Sequence, residues 1–122
     1  MKRHAGLGYR VATWMYDCIP RAIARRQMDG FFKILVTDDD EMRVLGMRAI
    51  GQDASSAIQA VALLIAMGKG IRELAEMVHP HPSMTEGVQE CVRMLLGKSI
   101  FKPRAFQQLR CARWDGGRYV EG

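Results

Sequence analysis

The hydrophobic positions show first a two-residue and then a helical period. From Tyr9 to Tyr16 the chain is rich in β-branched and aromatic residues, the composition of a strand. Pro20 ends this stretch, and Arg21 to Gln27 fits a short helix or a continued strand equally well. Phe31 to Thr37 alternates, with Phe32, Ile34 and Val36 on one face and Phe31, Lys33 and Leu35 on the other. Asp38, Asp39 and Asp40 make a polar turn, and Met42 to Ile50 returns as an antiparallel partner strand. Gly46 within it marks a bulge or a point of close approach.

After Gly51 the period becomes helical. Asp53 can cap the free amides of a first turn, and Ala54 to Met67 is apolar nearly all round, which predicts one helix buried on most sides and closed by Gly68. A shorter helix is expected from about Ile71 to Val78, with Ile71, Leu74, Ala75 and Val78 on one stripe. The prolines of His79-Pro80-His81-Pro82 then forbid helix and hold the chain extended. A third helix comes next, burying Val88, Cys91, Val92 and Leu95 and ending at Gly97. Met1 to Gly8 reads as the end of a helix closed by Gly6 or Gly8. Phe101 to Gly122 has little period and is expected to wrap the surface or a partner.

Composition narrows the function classes. At 122 residues the chain is one domain's worth, with 48% hydrophobic and 25% charged residues, within the globular range. The net charge is +5, but the basic residues are spread and present no continuous aromatic-lined face, so no nucleic-acid partner is expected. The longest apolar run, Ala60 to Met67, is far short of the ~18 residues of a membrane span, so no membrane partner is expected either. The start, Met1-Lys2-Arg3-His4, leads into no apolar stretch, and Cys18, Cys91 and Cys111 have no disulfide-framework or metal-site spacing. A reducing, cytoplasmic compartment is the expectation. The acidic triplet lacks the alternating ligands and later bidentate glutamate of a calcium loop.

Candidate chemistry concentrates in His79-Pro80-His81-Pro82-Ser83-Met84-Thr85-Glu86. A histidine pinned between prolines is presented in a defined place. A carboxylate at the start of the next helix can accept its Nδ1 proton and leave Nε2 free as a proton acceptor. The same residues satisfy a different pattern: Ser83-x-x-Glu86 is a capping box, which implies no chemistry. His79 and His81 lack a third ligand of suitable spacing, so no metal is expected.

Arg21 to Ala24, Asp29 to Lys33, Val44 to Gly46 with Ile50-Gly51, Ala62 to Gly68, and His79 to Glu86 form an ordered series along the chain. This series resembles the carboxy-terminal dimerisation domain of the pyridine nucleotide-disulfide oxidoreductases, the dihydrolipoamide dehydrogenase and mercuric reductase group, over roughly Gly6 to Pro103. The resemblance implies an α+β fold, an antiparallel sheet flanked by helices, with residues 1–103 as the interface domain and 104–122 as a carboxy-terminal tail. It implies a homodimer, flavin and nicotinamide domains of a parent enzyme as further partners, and FAD and NAD(P) as that enzyme's cofactors. Within it, His81 resembles the proton-exchanging base that reaches the partner's redox disulfide, and Glu86 the carboxylate that orients it. The carbonyl of His81, positioned with the help of Pro82, would lie by the partner's flavin.

The departures are informative. The glycine fingerprint of a dinucleotide-binding domain and the closely spaced redox cysteines are absent, so the isolated chain is expected to hold no cofactor and to be inactive alone. The family's usual opening strand, with its Thr-x-Pro-Glu motif, is missing, which implies a sheet without its first strand. Ser56 stands in place of the usual glutamate, Ser83 in place of threonine, and Cys111 is single where mercuric reductases carry a terminal cysteine pair. The competing reading is a free-standing self-association or protein-binding module in which His81 and Glu86 are unused.

Overall fold

A computed structural model describes residues 8–100 and 109–121. The expected helix end at Met1 to Gly8 therefore falls almost wholly outside the described residues. Strands β1 (Tyr9–Met15), β2 (Phe31–Thr37), β3 (Val44–Ile50), β4 (Arg110–Trp114) and β5 (Tyr119–Glu121) form one antiparallel sheet in the order β3-β2-β1-β4-β5. The ambiguous segment resolves as helix α1 (Pro20–Arg25), entered through proline at its first turn and ended by left-handed Arg26. Four further helices come after it: α2 (Ala54–Ala57), α3 (Gln59–Met67), α4 (Arg72–Glu76) and α5 (Glu86–Leu95).

The alternation of β2 sets the architecture. Phe32, Ile34 and Val36 are fully buried beneath the helices, as their spacing predicts, together with Ala12 and Trp14 of β1. Helix α5 lies on β1 and β2, and α3 lies on β3. Gly87 lets α5 come close: a Cβ there would stand 2.6 Å from Ile19 and 2.7 Å from Phe32. Gly51, at φ 121°, leaves room for the Tyr16 ring, which a Cβ would meet at 2.4 Å. The ring is then held by its hydroxyl, which donates to the Gln52 carbonyl at 2.9 Å. The expected irregularity near Gly46 is present, because the β2–β3 register shifts between Leu35 and Val36, opposite Gly46 and Val44.

Several expectations are corrected. Asp53 does not cap a helix: it sits in the left-handed region with no side-chain cap bond, and its carboxylate pairs instead with Arg25 at 2.8 Å. The single helix from Ala54 to Met67 is broken at Ile58 into α2 and α3. It is not buried on most sides, since Leu63, Ile65 and Met67 are 60%, 40% and 58% exposed. Helix α4 ends before Val78, which is 89% exposed.

The weakly patterned tail contains β4 and β5, and β4 takes the edge of β1 that β2 leaves open. Asp38 ties this hairpin to the rest, its carboxylate bridging Arg10 of β1 at 2.7 Å and Arg113 of β4. Burial alone would raise the Asp38 pKa, but hydrogen bonds from the two guanidinium groups outweigh it and hold the carboxyl below its ordinary value. On the other face Tyr9 stacks on Trp114, and its hydroxyl meets that of Tyr119 at 2.7 Å. Among the described residues, no helix is long and apolar enough to cross a membrane.

Candidate functional site

The structure brings His81 and Glu86 together. The prolines leave the segment before α5 without helix, the His81–Pro82 peptide is cis, and α5 begins at Glu86. The imidazole Nδ1 lies 2.7 Å from Glu86 Oε1, and the Ser83 backbone N–H donates to Oε2 of the same carboxylate at 2.8 Å. The two readings of Glu86 are therefore not exclusive. One oxygen takes the imidazole and the other the backbone amide. Only the glutamate half of the capping box forms, because Ser83 Oγ lies 3.0 Å from Thr85 Oγ1 instead of capping α5.

Exposure separates the pair's two members. Glu86 is 19% exposed while the His81 side chain is 68% exposed, so the carboxylate is anchored in the fold and the ring projects from it. With Nδ1–H donated to Glu86, Nε2 carries the lone pair and can accept a proton from outside. His79 is used differently, its Nδ1–H donating to the Met77 carbonyl at 3.0 Å. Pro82 is exposed, next to an opening shared with Arg21, Ser56 and Thr85. Among the described residues, no cluster of three or more histidine, cysteine or acidic side chains could hold a metal ion.

Sequence reasoning missed one neighbour. His81 and Glu86 line an opening of about 250 Å³ together with Trp14, Cys18 and Ile19. Nothing local in the sequence links Cys18 to His81, since the sheet and α5 bring them to one wall. Burial, then a hydrogen bond to Asp17, pushes the Cys18 thiol up to about 11. Burial also raises Cys91 and Cys111. All three are therefore thiols rather than thiolates at neutral pH, and none is an activated nucleophile.

An antiparallel sheet carrying helices on one face, with a carboxylate-held histidine at a helix start, defines an α+β domain. Residues 1–92 match the model of the pyridine nucleotide-disulphide oxidoreductase dimerisation domain, and the chain belongs to that family. It is 35% identical over 96 residues to dihydrolipoyl dehydrogenase of Haloferax volcanii, covering 79% of this chain and 20% of that protein. It is 34% identical over 97 residues to mercuric reductase of Lysinibacillus sphaericus, covering 78% and 17%. Among solved structures, the HOCl-induced flavoprotein disulfide reductase RclA from Escherichia coli superposes with a TM-score of 0.69 at 26% identity, over 77% of this chain and 21% of that one. The chain spans about a fifth of the length of the curated relatives it matches.

Proposed function

We propose that this chain is the dimerisation and proton-relay part of a flavin-dependent disulfide oxidoreductase, with His81 as the base and Glu86 as the residue that positions it. The observation that carries the reading is the shared Glu86 carboxylate. Its anchoring by Ser83 N–H fixes Oε1, Oε1 fixes the imidazole, and the ring is left largely exposed at the mouth of the opening it lines. Such a base serves a reacting group held by another domain or another copy. There, a dithiol's S–H proton passes to Nε2 and leaves a thiolate, and the proton returns in the reverse step.

A bound flavin, reduced by a nicotinamide, would supply the electron transfer, and both would reside on the larger share of an enzyme as long as the relatives. What this chain presents to a partner's flavin is the His81 carbonyl and Pro82, and both residues are exposed. The step that His81 would serve is the dithiol–disulfide exchange for which the family is named. A homodimer is the working assembly.

Adding flavin and nicotinamide domains in trans tests the reading. Disulfide reduction should be restored, and His81→Gln should slow the dithiol–disulfide half-reaction far more than flavin reduction. Equal slowing of both steps, or full activity without His81, would reject the relay and favour a self-association module.

A further inference from the structure

We propose that the sheet face turned away from the helices carries a binding site for a small amphipathic anion, a compact apolar body bearing one oxyanion group. The site lies apart from His81 and does not depend on the role assigned to it.

Two independent features meet there. The first is a row of cations set by the strand register. Lys33 pairs with Arg48 and with Thr13, and Thr13 pairs with Arg110, so Arg48, Lys33, Thr13 and Arg110 cross four strands in one line. Like charges directly opposite on neighbouring strands repel. Among the described residues, none of these three cations is in a salt bridge. On the helix side of the same sheet, Arg10 and Arg113 share the carboxylate of Asp38, so the sheet pairs these cations on one face and leaves the row on the other without a carboxylate.

The second feature is a hollow of about 200 Å³ beside this row, lined by Tyr9, Leu35, Leu45 and Gly46 with Lys33 and Arg48 at its side. It is open because Gly46 has no side chain: a Cβ there would meet nothing within 4 Å. The Tyr9 wall is fixed, because that residue is only 7% exposed and its hydroxyl is taken by Tyr119. An apolar cup with two unneutralised cations at one side matches a ligand with both parts. Inorganic phosphate leaves the cup unused, and a neutral apolar molecule leaves the cations unused.

Titration of the isotope-labelled chain with 2-naphthoate, monitored by amide NMR, tests this. Saturable shifts are expected at Lys33, Leu35, Leu45, Gly46 and Arg48, with a Kd near or below ~1 mM. Neutral 2-naphthamide and inorganic phosphate should each bind at least ~10-fold more weakly, a difference of about 1.4 kcal/mol. Gly46→Val should fill the cup, and the exposed Arg48→Gln should remove one cation without touching the core. Each should weaken 2-naphthoate by a similar factor while signals around Phe32 and Val92 stay in place. Shifts that do not saturate, equal binding of the amide, or unchanged affinity in Arg48→Gln would overturn the proposal.

Discussion

Helices α3 and α5 share one face of one sheet, yet they meet opposite fates. In α5, Val88, Cys91, Val92 and Leu95 are buried against the strands while Arg93 faces solvent, the pattern of a helix whose apolar stripe matches the surface under it. In α3 only Val61 and Leu64 are buried, and Leu63 and Met67 remain largely exposed. A sheet covers one stripe of a helix resting on it. An all-apolar helix therefore keeps a second stripe for another surface. The finished helix closes the domain, and the unfinished one leaves an apolar stripe uncovered within it.

Two leucines give the largest expected contrast. Leu95 is 4% exposed, and Leu95→Ala should cost about 2–5 kcal/mol in denaturant unfolding. Leu63 is 60% exposed, and Leu63→Ala should change stability by no more than about 0.5 kcal/mol. Similar losses at both sites would break the distinction between the helices.

Self-association should reverse the ranking. If α3 supplies the interface of the proposed homodimer, Leu63→Asp should weaken dimerisation by at least ~10-fold, about 1.4 kcal/mol, in sedimentation measurements. An unchanged dissociation constant would move the interface away from α3.

The two helices also show what a sequence can convey. The α5 stripe was legible because amphipathic spacing carries its own orientation. The apolar run around α3 conveyed helix but not burial, since composition does not say how many surfaces the fold will supply. The β2–β3 hairpin was legible from alternation around the Asp38 to Asp40 turn. The β4–β5 hairpin was missed, although Asp115-Gly116-Gly117 between two short runs is a hairpin signal that could have found it. Its place beside β1 rests on distant pairings such as Asp38 with Arg113, which no local window contains. His81 and Glu86 were legible because they are close in sequence. The division of one carboxylate between two donors was not, because it depends on where the Ser83 amide points.

The tail hairpin extends the comparison to an edge of the sheet held partly by charge. The Asp38 side chain is 8% exposed, whereas Arg10 and Arg113 are 35% and 60% exposed, so solvent screening limits the bridge to about 1 kcal/mol. Because the folded-state pKa is depressed, this contribution is fully present above the ordinary value of 3.8 and is lost as pH falls through the lower folded value. Asp38→Asn should therefore destabilise the protein at neutral pH, with the gap to the parent closing in strong acid. Hydrogen exchange should report the loss chiefly in β4 and β5. A gap that stays constant from neutral to acid pH would mean that the bridge contributes nothing through its charge.

The smallest expected effect lies at the first turn of α5, where the finished helix carries the candidate chemistry. Glu86→Gln keeps one acceptor oxygen but replaces the other with an amide donor. The side chain can then accept from Ser83 N–H or from His81 Nδ1–H, but not from both as the carboxylate does. The backbone amide is fixed at the helix start, while the imidazole is exposed and free to turn away, so the amide should retain the acceptor. Stability should fall by less than about 1 kcal/mol, from the lost negative charge near the helix amino terminus. The ring should respond more clearly. At a pH where histidine is neutral, imidazole ¹⁵N shifts should report mostly the Nδ1–H tautomer for the parent chain and a clear gain of Nε2–H for Glu86→Gln. Thr85→Val removes only the hydroxyl contact to Ser83 and should leave those ring shifts in place. An unchanged tautomer ratio in Glu86→Gln would reduce Glu86 to a helix cap and remove the physical basis for treating His81 as a positioned base.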